Sequence, residues 1–157
     1  MTKKKVLFLL ATLLPALVLS CKKAGNPVVP DTGAPETGCP QAAVPVAVNT
    51  AGVTFNRDTS SEANKFEGGS CVSGSGAPDD LFTFTLSTTT RVQIARSASW
   101  AIRIVVRKDS CTGIEVDCHS NTGLSENNLA AGIYYVIVDG DTSADQGTYG
   151  IEFKEIP

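Results

Sequence analysis

The sequence is poor in the residues that most often carry chemistry. Its 157 positions hold one histidine, one tryptophan and one methionine, and aromatic residues make up only 6%. A single imidazole excludes His-rich metal sites and leaves one place at most for a histidine-dependent catalytic centre. No Gly-x-Ser-x-Gly nucleophile elbow and no oxyanion-loop signature is present, which removes the commonest hydrolase pattern. None of the five cysteines forms the short Cys-x-x-Cys spacing of zinc sites, so zinc ligation by thiols is not expected. Basic residues number 13 against 16 acidic ones, and beyond residue 20 no more than two stand together, which argues against nucleic acid as a partner. No window beyond residue 20 shows helical periodicity, and no apolar run reaches the roughly 20 residues of a membrane-spanning helix.

What is present begins at the N-terminus. Lys3, Lys4 and Lys5 precede an apolar run from Val6 to Leu19, interrupted by Pro15. A positive region followed by a short apolar stretch is the pattern of a removable export signal. The stretch closes on Val18-Leu19-Ser20-Cys21, which resembles the lipobox of bacterial lipoproteins. That resemblance implies that residues 1–20 are cleaved and that Cys21 carries the lipid as the first mature residue. Two or more acyl chains hold a protein stably at a membrane, where one is marginal. Lys22, in place of Asp, implies release from the inner membrane, so the outer membrane of the cell envelope is the expected location.

Without residues 1–20 the chain keeps ten basic and sixteen acidic residues, a formal charge of −6. Residues 21–38 combine the lipidated cysteine with Pro27, Pro30 and Pro35 and with Gly25, Gly33 and Gly38. This composition predicts a disordered, flexible tether. The domain itself is expected over 39–157.

Four cysteines remain there: Cys39, Cys71, Cys111 and Cys118. An even count in an exported protein predicts two disulfides. Three pairings are possible. Cys111 and Cys118 flank a predicted hairpin turn, which favours joining them and leaves Cys39 to Cys71.

Period-two alternation marks several strands. Phe82, Phe84 and Leu86 share one face, Val92 and Ile94 another, then Trp100, Ile102, Ile104 and Val106, and finally Tyr149, Ile151 and Phe153. Residues 133–138 are apolar on both faces, as a central strand requires. Residues 44–48 and 53–56 are weaker candidates, and 57–79 read as a long loop. The chain is therefore predicted to be all-β, an antiparallel jelly-roll-like β-sandwich with two disulfides.

Four stretches together resemble a known family. They are Ala77-Pro78-Asp79-Asp80-Leu81-Phe82-Thr83-Phe84, the strand Ile102–Cys111, Cys118, and the run Ala130-Ala131-Gly132-Ile133-Tyr134-Tyr135-Val136-Ile137-Val138-Asp139-Gly140 followed by Gly147-Thr148-Tyr149. This pattern is similar to the bacterial pre-peptidase C-terminal domain in its cysteine-containing variant, over residues 40–154. The resemblance implies a β-sandwich that accompanies secreted enzymes or stands alone at a surface, without catalysis of its own. Related collagen-binding domains hold calcium for stability. Trp100-Ala101 and His119-Ser120-Asn121 stand where many members carry acidic ligands.

Candidate sites follow from residue type. His119 with Asp117 and Ser120 is the one arrangement with hydrolase chemistry, though neighbours on a strand point to opposite faces. Asp79, Asp80, Asp139 and Asp141 are weak calcium candidates, and turn formation explains such residues equally well. Trp100, Tyr134, Tyr135, Arg103 and Arg107 are the expected ligand surface. No cofactor is required. The function expected is a lipid-anchored, non-catalytic binding module of the envelope or cell surface, with a protein or polysaccharide ligand. The alternative is a structural envelope component or an accessory subunit, and a hydrolase is the least supported.

Overall fold

A computed structural model describes residues 39–72, 76–120 and 122–157, so the predicted signal, Cys21 and the tether lie outside the described residues. Nine strands form: β1 (Val44–Pro45), β2 (Val53–Asp58), β3 (Asp80–Leu86), β4 (Thr90–Ala98), β5 (Ile102–Lys108), β6 (Ile114–Ser120), β7 (Gly123–Leu129), β8 (Gly132–Gly140) and β9 (Thr148–Ile156). They make a five-stranded sheet, β1-β3-β8-β5-β6, and a four-stranded sheet, β2-β9-β4-β7.

The pairing is nested. β2 pairs with β9, β3 with β8, β4 with β7 and β5 with β6, all antiparallel. This is a long antiparallel ribbon rolled up on itself, the jelly-roll arrangement predicted from the sequence. Rolling brings β4 against β9 and β5 against β8, which completes the two sheets.

The exception is β1, which pairs in parallel with β3 through Val44 and Phe82. The intervening β2 belongs to the other sheet, so the chain re-enters beside β1 running the same way. Pro45 donates no hydrogen bond to a ladder, which keeps this edge strand to two residues.

The alternation read in the sequence fixes the main core. Phe82, Phe84, Val92, Ile94, Ile102, Ile104, Val106, Tyr149, Ile151 and Phe153 all face inward between the sheets and are buried. Phe55, Phe82 and Phe153 form its aromatic centre, with ring centroids 5.2–6.2 Å apart in tilted and edge-on contacts.

A second apolar layer lies on the opposite face of the five-stranded sheet. Leu81, Val105, Tyr135 and Ile137 point outward from its strands and are covered by Phe66 and Val72 of the long β2–β3 connection. The inner strands of this sheet, β3, β8 and β5, are thus buried on both sides, as the double-faced apolar pattern of 133–138 requires.

Two disulfides fix this cover: Cys39 to Cys111 and Cys71 to Cys118, each with Cα atoms 5.6 Å apart. The pairing expected from hairpin spacing, Cys111 with Cys118, is therefore corrected. The hairpin argument considered the chain locally. The cysteines instead join two segments that precede β3 to the β5–β6 edge of the sheet they cover.

Candidate functional site

The covered face accounts for several residues that sequence pattern had placed at a ligand surface. Tyr134 and Tyr135 are both buried, at 1% exposure each. Adjacent residues on a strand face opposite ways. Here both sides are roofed: Tyr134 stacks on Phe84 in the main core, and Tyr135 lies in the covered layer. The Tyr134 hydroxyl donates to the Ala130 carbonyl at 2.8 Å. Neither tyrosine reaches a ligand surface: Tyr134 is buried between the sheets, and the β2–β3 connection covers the face that Tyr135 occupies.

Arg103 and Arg107 lie on the outward side of β5 and are engaged there. Arg103 pairs with Asp141 at 2.7 Å, and Arg107 donates to the Gly68 carbonyl of the covering segment at 2.9 Å. Arg91 is on the other sheet, paired with Glu126.

The four aspartates are spread over separate tasks. Asp79 is fully buried, and one of its oxygens accepts the backbone N–H groups of Lys65 and Phe66 at 2.7 and 2.8 Å. That places Phe66 in the covered layer. Burial raises the Asp79 carboxyl above the usual carboxylate range, and the two N–H groups only partly oppose the shift.

Asp80 points the other way, across the main core. Arg57 of β2 grips it through two nitrogens, one of them at 3.1 Å, and the Tyr149 hydroxyl of β9 donates to it at 2.7 Å. This clamp ties the two sheets at one end of the sandwich. Burial, followed by the nearby Asp80 charge, pushes the Tyr149 hydroxyl far above its ordinary pKa, so it stays a donor. Asp139 accepts the Gly140 N–H at 2.7 Å, and Asp141 holds Arg103. Among the described residues no three His, Cys, Asp or Glu side chains gather as a metal-ligand group.

His119 meets Asp117 at 2.8 Å, two residues along the same strand face. Asn127 of β7 donates to the other Asp117 oxygen. Among the described residues, no Ser or Thr hydroxyl is hydrogen-bonded to His119. Ser120, next along the strand, lies on its opposite face.

The outward face of the four-stranded sheet is different. It has no covering segment among the described residues and carries an open groove of about 640 Å³, lined by Asn56, Asp58, Ser97, Ser99, Thr148 and Gly150. The groove continues into a depression of about 300 Å³ that adds Thr54, Ala95 and Glu152. Trp100 is half-buried beside it. Its indole N–H donates to the Thr148 carbonyl at 3.2 Å, and its ring meets Tyr149 edge-on at 6.1 Å. It sits just before β5 rather than leading it, so of the predicted surface aromatics Trp100 alone retains an exposed part. Sequence reasoning missed the groove, whose one visible trace was a glycine inside an alternating strand at 150.

No family model and no curated protein matches this sequence. Solved structures do. The pre-peptidase C-terminal domain of collagenase from Bacillus anthracis superposes with a TM-score of 0.52 at 18% identity, over 73% of this chain and 97% of that one. The fold is that of a pre-peptidase C-terminal domain. PliG from Aeromonas hydrophila, a periplasmic lysozyme inhibitor of g-type lysozyme, superposes with a TM-score of 0.51 at 13% identity, over 73% and 96% of the two chains. At these identities the likeness is one of fold. In this version of the pre-peptidase C-terminal fold, two disulfides staple one sheet face, which suits an oxidising, extracytoplasmic compartment.

Proposed function

We propose that this chain is a lipid-anchored, non-catalytic binding module of the cell envelope, held by Cys21 in the outer membrane and carried away from it by residues 22–38. The observation that carries the reading is the asymmetry of the sandwich. One sheet face is roofed and doubly stapled, while the outer face of the other sheet is grooved and, among the described residues, uncovered. The singled-out polar residues of the roofed side bond within the protein, which accounts for them as architecture and leaves the open face for a ligand. The ligand is a protein or polysaccharide of the envelope or the cell exterior. The reading invokes no cofactor: each of the carboxylates of Asp79, Asp80, Asp139 and Asp141 has at least one oxygen engaged by a protein donor.

The neighbouring structures support binding rather than catalysis: one is a domain of a collagenase and the other is an inhibitor. The first also favours a second reading, an accessory subunit acting beside a partner enzyme. Metabolic labelling with an alkyne analogue of palmitate tests the anchor. The wild type takes up label and Cys21→Ser does not. Equal labelling of both removes the anchor from the proposal.

A further inference from the structure

Gly150 occupies the middle of β9, a strand that otherwise alternates without a break. Glycine weakens a strand interior and often marks a point where a ligand or another backbone approaches closely. The backbone at 150 does not lie in the left-handed region, unlike that of Gly147, so conformation does not demand glycine there. Space does. Asn56 of β2 and Ser97 of β4 stand directly opposite Gly150 on its two sides. A Cβ added at 150 lies 3.0 Å from the Ser97 Oγ and 3.4 Å from the Asn56 Oδ1. The missing side chain opens a channel across three strands, with an amide on one bank and a hydroxyl on the other.

The lining identifies the kind of occupant. The side chains of Thr54, Asn56, Ser97 and Ser99 have no hydrogen-bond partner among the described residues, so their donors and acceptors are available. Asp58 and Glu152 bracket the channel with negative charge; Arg57 is already committed to Asp80, and Arg96, the other cation of the lining, is buried and donates to the Ser120 carbonyl. An anionic polymer is therefore repelled. The channel also lacks the large apolar anchors on which protein interfaces depend. Of the exposed large apolar residues, Ile114, Val116 and Ile133 belong to the other sheet, and Leu124 is on β7, which does not line the channel. The hydroxyls of Thr54, Ser97 and Ser99 and the Asn56 amide, on a shallow floor between those carboxylates, match the hydroxyl-rich edge of a neutral sugar chain. The groove volume falls within the roughly 300–1,000 Å³ of small-ligand sites.

We infer that the Gly150 channel binds an uncharged oligosaccharide, laid across β2, β9 and β4 with Asn56 and Ser97 hydrogen-bonded to its hydroxyls. This rests on the binding-module reading and narrows its ligand class.

The test is calorimetric titration of the full chain in detergent with three uncharged tetrasaccharides, chitotetraose, cellotetraose and maltotetraose, and separately with decalysine. At least one tetrasaccharide binds, and its affinity is nearly independent of salt. Gly150→Val, which suits a strand but fills the floor, abolishes that binding. Asn56→Ala, at an exposed position that leaves the fold intact, weakens it about tenfold. Three results overturn the inference: no tetrasaccharide binds, binding survives both substitutions, or only decalysine binds at the channel in a salt-sensitive way. In the first case a protein ligand mapped to another face leaves the binding module standing and removes only the sugar site.

Discussion

Asp79 and Asp80 are adjacent and serve opposite sides of one sheet. Asp79 folds the covering segment onto the outer layer, and Asp80 draws the other sheet onto the inner one. Their chemistry separates them. The Asp79 carboxyl is raised, so the folded state favours its neutral form. Its contribution to stability is fully present below the ordinary carboxylate value and is lost as pH rises through the raised folded value. Thermal unfolding of wild type and Asp79→Asn at about pH 3.5 and about pH 7 reads this directly. The wild type loses ground to the variant as pH rises, and a constant gap contradicts the assignment. For Asp80, replacement by alanine strips the acceptor shared by Arg57 and Tyr149. The expected loss is about 2 kcal/mol in urea unfolding, below that for a fully buried pair because Arg57 is one-third exposed. Tyr149→Phe, which removes one donor, costs about 1 kcal/mol.

At the scale of elements, strand alternation was legible wherever one side of a strand meets the core. Phe82-x-Phe84-x-Leu86 and Tyr149-x-Ile151-x-Phe153 show it in the sequence and keep it in the fold. The roof over the five-stranded sheet was not legible. Residues 59–79 have the polar, Gly-rich composition of a loop, and the large apolar side chains they turn onto the sheet, Phe66 and Val72, stand too far apart for periodicity to register. That blind spot produced the hairpin disulfide and the exposure expected of Tyr135, whereas Tyr134 is buried because its side of β8 meets Phe84 in the main core. Peptide mapping under non-reducing conditions distinguishes the pairings. Cys39–Cys111 and Cys71–Cys118 peptides are expected, and a Cys111–Cys118 peptide contradicts the fold. Removing Cys71–Cys118 by double serine substitution frees a loop of 47 residues and is expected to cost about 4 kcal/mol from loop-closure entropy.

For the whole molecule, the roof and the groove divide the labour of the two sheets. The five-stranded sheet is a platform that stabilises itself through a second apolar layer, and the four-stranded sheet, uncovered among the described residues, is the face we propose for a ligand. We propose that the N-terminal pattern supplies the context: an export signal and a lipid-bearing Cys21 that a proline- and glycine-rich segment joins to the domain. The same division explains why the chain carries so few chemically reactive residues. Its proposed task is to be held in place and to hold something, and geometry suffices for both. Anchoring through Cys21 is the claim on which location and partners depend. Membrane fractionation of cells expressing wild type and Cys21→Ser tests it most directly. The account predicts that wild type sediments with the membranes and Cys21→Ser is recovered in the soluble fraction, whereas a variant that still sediments at the wild-type level contradicts it.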